Sequence, residues 1–219
     1  MQTTNSIIET TKRFVKETLK NAEGGHDWFH IERVYNNSLL IAKKEEVDVL
    51  VVSLAALLHD IADSKFYNGD DTVGPKLARE FLCEENIPLD IIEHVVAIIA
   101  NMSFNKSLDG NTTFTSKELE VVQDADRLDA IGAIGIARCF NYGGFKDRAL
   151  YNPDIKPNLN MSTAAYKKST APTINHFYEK LLLLKDKMNT QTGKQIALER
   201  HQYMEGFLKQ FYAEWNGKK

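Results

Sequence analysis

Cysteine is scarce in this 219-residue chain, and so are long apolar runs and any excess of one charge. The two cysteines, Cys83 and Cys139, lie far apart and in no C-x-x-C arrangement. They read as two reduced thiols, as in a cytosolic protein. No apolar stretch reaches the ~18 residues of a membrane span before His, Asp or Lys interrupts it. Met1 to Lys20 lacks the apolar segment of a signal peptide, so a soluble, cytoplasmic protein is expected. Without secretion, the Asn-x-Ser/Thr triplets at Asn36 and Asn111 carry no meaning. The net charge is −3, whereas dedicated nucleic-acid or anionic-membrane binding usually needs a basic face. A local basic pocket is still allowed. The chain also lacks internal repeats, low-complexity tracts, interdomain linkers and the β/α alternation of a Rossmann-type fold.

What is present is helical periodicity. Ile7, Ile8, Phe14, Val15 and Leu19 recur at helical spacing, and Gly24-Gly25 should end that helix. His26 to Lys44 reads as a second helix. Asp48 to Asp63 reads as a third, apolar almost all round, as suits a helix at the centre of a bundle. Helices are also expected over Gly74 to Glu85, Pro88 to Met102 and Lys117 to Phe140. Asn141-Tyr142-Gly143-Gly144 should break the last of these. Residues 146–172 read as a long loop, the kind that often serves as a lid. Two amphipathic helices, about Thr173 to Met188 and Lys194 to Trp215, close the chain. The expected architecture is one all-α domain spanning residues 1–219.

Three clusters carry chemistry. In Leu57-Leu58-His59-Asp60-Ile61, a His-Asp pair ends a helix that is otherwise apolar. A carboxylate buried there needs a cation or a metal, or the pair is simply hydrogen-bonded at a helix end. Upstream, in His26-Asp27-Trp28-Phe29-His30-Ile31-Glu32-Arg33, imidazole, carboxylate and guanidinium recur one turn apart; the plain alternative is a solvated charged face. Downstream, Gln123-Asp124-Ala125-Asp126-Arg127-Leu128-Asp129 sets three aspartates among apolar neighbours. Asp126 can reach the interior while Asp129 or Asp124 pairs with Arg127, or all three can be surface acids.

The order His…His-Asp…Asp on helices resembles the HD superfamily of metal-dependent phosphohydrolases. The strings HDWFHIERV, ALLHDIADSKF and VVQDADRLDAIGAIGIAR are similar to its compact bacterial subgroup of YpgQ- and YedJ-like proteins. The resemblance implies an HD-domain helical bundle with the metal site at its centre. It implies His30, His59, Asp60 and Asp126 as metal ligands, with Asp124 as the alternative to Asp126. One divalent ion is implied, manganese first, then iron, cobalt, nickel or zinc, with magnesium less suited because it prefers oxygen ligands. Such a metal acidifies water and polarises a phosphoryl oxygen.

Arg33, Lys65 or His94 could then stabilise the developing charge. Asp63 could act as general base or orient His59. The plain alternatives are a solvated Lys65 and a core His94. His26 and Asp27 are candidate substrate contacts. Lys180 is a later candidate, since His176, Lys180 and Lys185 recur at helical spacing and could reach phosphates. The implied substrate is a small-molecule nucleotide, a nucleoside or deoxynucleoside triphosphate cleaved to monophosphate and pyrophosphate. No nucleic-acid or membrane partner is expected, and a homodimer is allowed. The runners-up are a phosphomonoesterase, a cyclic-nucleotide or alarmone hydrolase, and a non-catalytic nucleotide- or partner-binding domain with a structural metal.

Overall fold

A computed structural model describes residues 4–20, 27–62, 70–102, 114–161 and 169–219. Gly24-Gly25 and the candidate site residues His26, Asp63 and Lys65 lie outside the described residues. Among the described residues all regular structure is helical, as expected. The chain divides into two compact units, Met1–Asp126 and Arg127–Lys219.

The first unit holds α1 (Thr4–Thr18), α2 (Trp28–Ala42), α3 (Val49–Leu58), α4 (Val73–Glu84), α5 (Leu89–Ala100) and most of α6 (Lys117–Asp129). Its core is α3, in which every side chain from Val51 to Leu58 is at most 3% exposed. Apolarity on all sides lets α3 pack against α1, α2 and α5 at once. Asp48 starts α3 by accepting hydrogen bonds from the amides of Leu50 (2.8 Å) and Val51 (3.2 Å). The helix stops at Leu58, short of the expected Asp63. His59 Nδ1 lies 2.9 Å from the Ala56 carbonyl oxygen, the acceptor that a continuing helix would offer to the Asp60 amide. Likewise α2 begins at Trp28, because Asp27 is extended and caps it.

The second unit holds the end of α6, then α7 (Gly132–Phe145), α8 (Asn175–Glu179), a 3-10 helix (Leu181–Lys187) and α9 (Gln191–Trp215). Three expectations are corrected here. The helix expected over Lys117 to Phe140 is two helices. Gly132 takes φ +76°, a left-handed conformation that suits glycine, and the chain turns there. Arg200 donates to the Leu128 carbonyl (2.6 Å) and Arg138 to that of Asp129 (3.2 Å), satisfying two acceptors that the end of α6 leaves open.

Conversely, Asn141 to Gly144 does not break α7. Gly143 is buried, and a Cβ there would sit 2.2 Å from Thr173 Oγ1, so this glycine permits close packing within an intact helix. The helix expected over Thr173 to Met188 is also split. Lys180 leaves helical geometry (φ −145°, ψ −59°), and the four leucines after it continue as a 3-10 helix. Helix α9 buries Gly193, Ala197, His201, Met204 and Leu208 at helical spacing. Its Phe207 forms a ring cluster with Phe140 and Phe177, each pair 5.9 Å apart between centroids.

Replacing Gly143 with Ala should therefore destabilise the protein by about 1–3 kcal/mol through overpacking. Adding Thr173→Ala should recover part of that loss. Urea denaturation of the single and double variants measures both; an unchanged midpoint in Gly143→Ala would contradict the packing described.

Candidate metal centre

Four polar residues of the first unit meet at the polar end of its apolar core. His30 stands in the first turn of α2 and is only 3% exposed. Its backbone amide donates to Asp27 Oδ1 at 2.9 Å, so the capping carboxylate fixes the turn that carries this imidazole. His59 is the C-cap of α3 and Asp60 follows it directly; both are half-buried. A ligand atom from each of His30, His59 and Asp60 can be chosen so that all three lie within 4.8 Å of one another. The two imidazoles meet edge to face, with centroids 5.5 Å apart. From α6, Asp126 Oδ1 comes to 3.6 Å from His30 Nε2.

The His59 ring is oriented for coordination. A proton on Nδ1, donated to the Ala56 carbonyl, leaves Nε2 with its lone pair. Donors around one metal ion of this kind lie about 3–4 Å apart, given metal–ligand bonds near 2.1 Å. Here three ligand atoms lie within 4.8 Å of one another and a fourth lies 3.6 Å from His30, and two nitrogen with two oxygen donors suit a borderline divalent ion. The residues therefore fit the metal implied by the sequence.

Within Asp124-Ala125-Asp126 the two acids take different positions. Asp124 is fully buried, whereas the Asp126 side chain is 44% exposed and faces His30. Residues two apart on a helix do not share a face. Asp129, one of the two acids expected beside Arg127, is held by Arg138. Asn37, absent from the sequence candidates, is buried on α2 two turns from His30. Its Nδ2 donates to the Ala125 carbonyl at 3.4 Å, joining the helix of His30 to that of Asp126. A lone asparagine in an apolar stripe gave no signal that would have singled it out.

The remaining candidates are placed as follows. Arg33 is half-buried one turn beyond His30. Asp27 is the helix cap just described. His94 on α5 is half-buried, with Nε2 3.0 Å from Ser116 Oγ and 3.5 Å from Glu118 Oε2, and its ring edge meets Phe114. Those groups belong to the start of α6 and the segment before it. Lys180 is exposed in the second unit, between α8 and the 3-10 helix.

Comparison with known proteins identifies the family and the fold. The family model described as HD domain matches residues 28–131. The protein YpgQ of Bacillus subtilis is 37% identical over 204 residues, covering 92% of this chain and 90% of that protein. A crystal structure of an HD-superfamily hydrolase from Bacillus thuringiensis superposes with a TM-score of 0.79 at 44% identity, covering 98% of this chain and 99% of that one. The structure of Bacillus subtilis YpgQ in complex with ADP gives 0.75 at 33% identity, with 97% of each chain covered.

If the cap positions His30 as described, Asp27→Ala should cost about 1 kcal/mol of stability, while Asp27→Asn keeps most of it. Thermal melts of the three proteins measure the difference. Equal losses from Ala and Asn would show that the carboxylate does something other than cap.

Proposed function

Because the chain belongs to the HD domain family, we propose that His30, His59, Asp60 and Asp126 hold one divalent metal ion in a phosphohydrolase acting on nucleotides. The observation that carries this reading is the convergence of three ligand atoms within 4.8 Å, with Asp126 3.6 Å from His30. Asp126 is preferred to Asp124 as fourth ligand for that proximity. Manganese is the first choice of metal. When bound, it supplies an acidified water and a polarised phosphoryl oxygen.

The chain's own groups do the rest. His59 presents Nε2 because Nδ1 is engaged with Ala56. The Asp27 cap holds the first turn of α2 and with it His30. Arg33, one turn away, supplies positive charge for the phosphoryl group as negative charge builds on it. Asp63, close in sequence to the His-Asp pair, takes the role of base or orienting carboxylate, and Lys65 that of a phosphate contact. His26, Asp27 and His94 are assigned as substrate contacts.

The preferred substrate is a nucleoside or deoxynucleoside triphosphate, cleaved to monophosphate and pyrophosphate. ADP in the YpgQ complex supports a nucleotide ligand for the fold.

His59→Ala and Asp60→Ala should lose bound metal, measured by elemental analysis. Both should release product at least about a thousandfold more slowly across a nucleoside triphosphate panel with manganese. Asp126→Asn should weaken metal binding, while Asp124→Asn should mainly lower the melting temperature. Wild-type protein that binds metal yet releases neither phosphate nor pyrophosphate from any nucleotide would refute the enzyme reading.

A further inference from the structure

Beside α8 and α9, within the second unit, lies a cleft of about 300 Å³. Its walls hold three tyrosines, Tyr151, Tyr178 and Tyr212, and the rings of Pro153 and Pro157. The cleft is preformed. The Tyr151 ring is held by edge contacts with Phe211, Tyr212 and Trp215, at centroid distances of 6.0, 5.3 and 5.0 Å. Asn175, buried at the start of α8, donates from Nδ2 to the Ile155 carbonyl at 3.1 Å. Glu179, at the other end of α8, accepts from the Asn158 amide at 3.0 Å. The loop that carries both prolines is thus fastened to both ends of α8.

Two polar features mark the cleft. Tyr178 Oη donates to Tyr212 Oη at 3.2 Å. Two phenols hold two hydroxyl protons, and one hydrogen bond uses one of them. Among the described residues no other acceptor meets either hydroxyl, so the Tyr212 proton is left over. Burial first, then the contact with Tyr178, hold the Tyr212 phenol above the ordinary tyrosine range, so it stays a donor. The second feature is Lys156, the one cation among the described residues that line the cleft. Its ammonium meets the Pro153 carbonyl at 3.1 Å and pairs with no acid among the described residues.

We infer that this cleft binds a small planar aromatic carboxylate, its ring among the tyrosines and prolines, its carboxylate at Lys156 and a further acceptor atom at the Tyr212 hydroxyl. Flat aromatic and proline faces favour a flat ring. A cleft of this size sits at the lower limit of small-molecule sites and admits one ring system with its substituents. A single ammonium suits a carboxylate. A phosphate usually gathers several charged donors, arginine above all, and no arginine is among the described residues that line the cleft. The spare Tyr212 proton gains an acceptor. The fixed walls keep the ordering cost of binding low. All of these residues belong to the second unit, so the inference does not rest on the metal centre.

The test is calorimetric titration of the full chain with 4-hydroxybenzoate, benzoate, 4-hydroxybenzamide and adenosine monophosphate. 4-Hydroxybenzoate should bind saturably with a Kd of about 1 mM or tighter. Benzoate, which lacks the second acceptor, should bind about fivefold more weakly. Tyr212→Phe should abolish that difference while binding benzoate within about twofold of wild type, which a general loss of structure would not do. Lys156→Ala should weaken both carboxylates by about three- to tenfold and leave the uncharged 4-hydroxybenzamide unaffected. Lys209→Ala, exposed on α9 and outside the cleft, should change nothing. Adenosine monophosphate should show no dependence on Lys156. A chelator should leave carboxylate binding unchanged, which separates the cleft from the metal centre. The inference is overturned if neither carboxylate saturates up to about 10 mM. It is equally overturned if Tyr212→Phe weakens both carboxylates alike, or if Lys156→Ala and Lys209→Ala act alike. Tighter, Lys156-dependent binding of adenosine monophosphate, or loss of carboxylate binding to a chelator, would also refute it.

Discussion

Helix α3 is apolar on every side and ends in two polar residues, and the first unit is arranged around the consequence. Burial of Val51 to Leu58 brings His59 and Asp60 to the edge of a low-dielectric core, where an imidazole and a carboxylate are costly unless they are answered. The Ala56 carbonyl answers one ring nitrogen of His59. The buried His30 of α2 is gathered with the pair, and Asp126 of α6 comes to His30. Polar groups that would weaken a core if scattered gain a purpose when they converge on one point.

Position at that point comes from hydrogen bonds between side chains outside the donor set and the backbone. Asp27 caps α2 beneath His30, Asp48 caps α3, and Asn37 ties α2 to α6 through the Ala125 carbonyl. At the far end of α6, Arg138 and Arg200 take the carbonyls of Asp129 and Leu128. A helix whose last carbonyls are held this way has a defined end, and so a defined register for its aspartates. The second unit has its own aromatic core and a concentration of basic groups, which the small net charge of the whole chain conceals.

Much of this could be read in the sequence. Local signals were strong where one element decided the outcome. The apolar run of α3 showed a central helix, and the His-Asp pair at its end showed where polarity meets the core. The order of His30, His59, Asp60 and the aspartate pair carried the family resemblance. Reading failed where the deciding partner was distant in sequence. Gly143 looked like a breaker because Thr173, thirty residues on, is what it makes room for. The turn at Gly132 was hidden within a helical pattern, since the arginines that hold the end of α6 lie at 138 and 200. The hold of Arg138 on Asp129, nine residues back, likewise had no local signal.

The sequence by itself determined the helical class and the set of candidate donors, because periodicity and residue type are properties of neighbouring positions. The family resemblance put Asp126 ahead of Asp124; the tertiary structure adds that Asp126 Oδ1 lies 3.6 Å from His30 Nε2. Two residues apart on one helix, the two aspartates point to different sides, and which side faces α2 depends on how the helices pack.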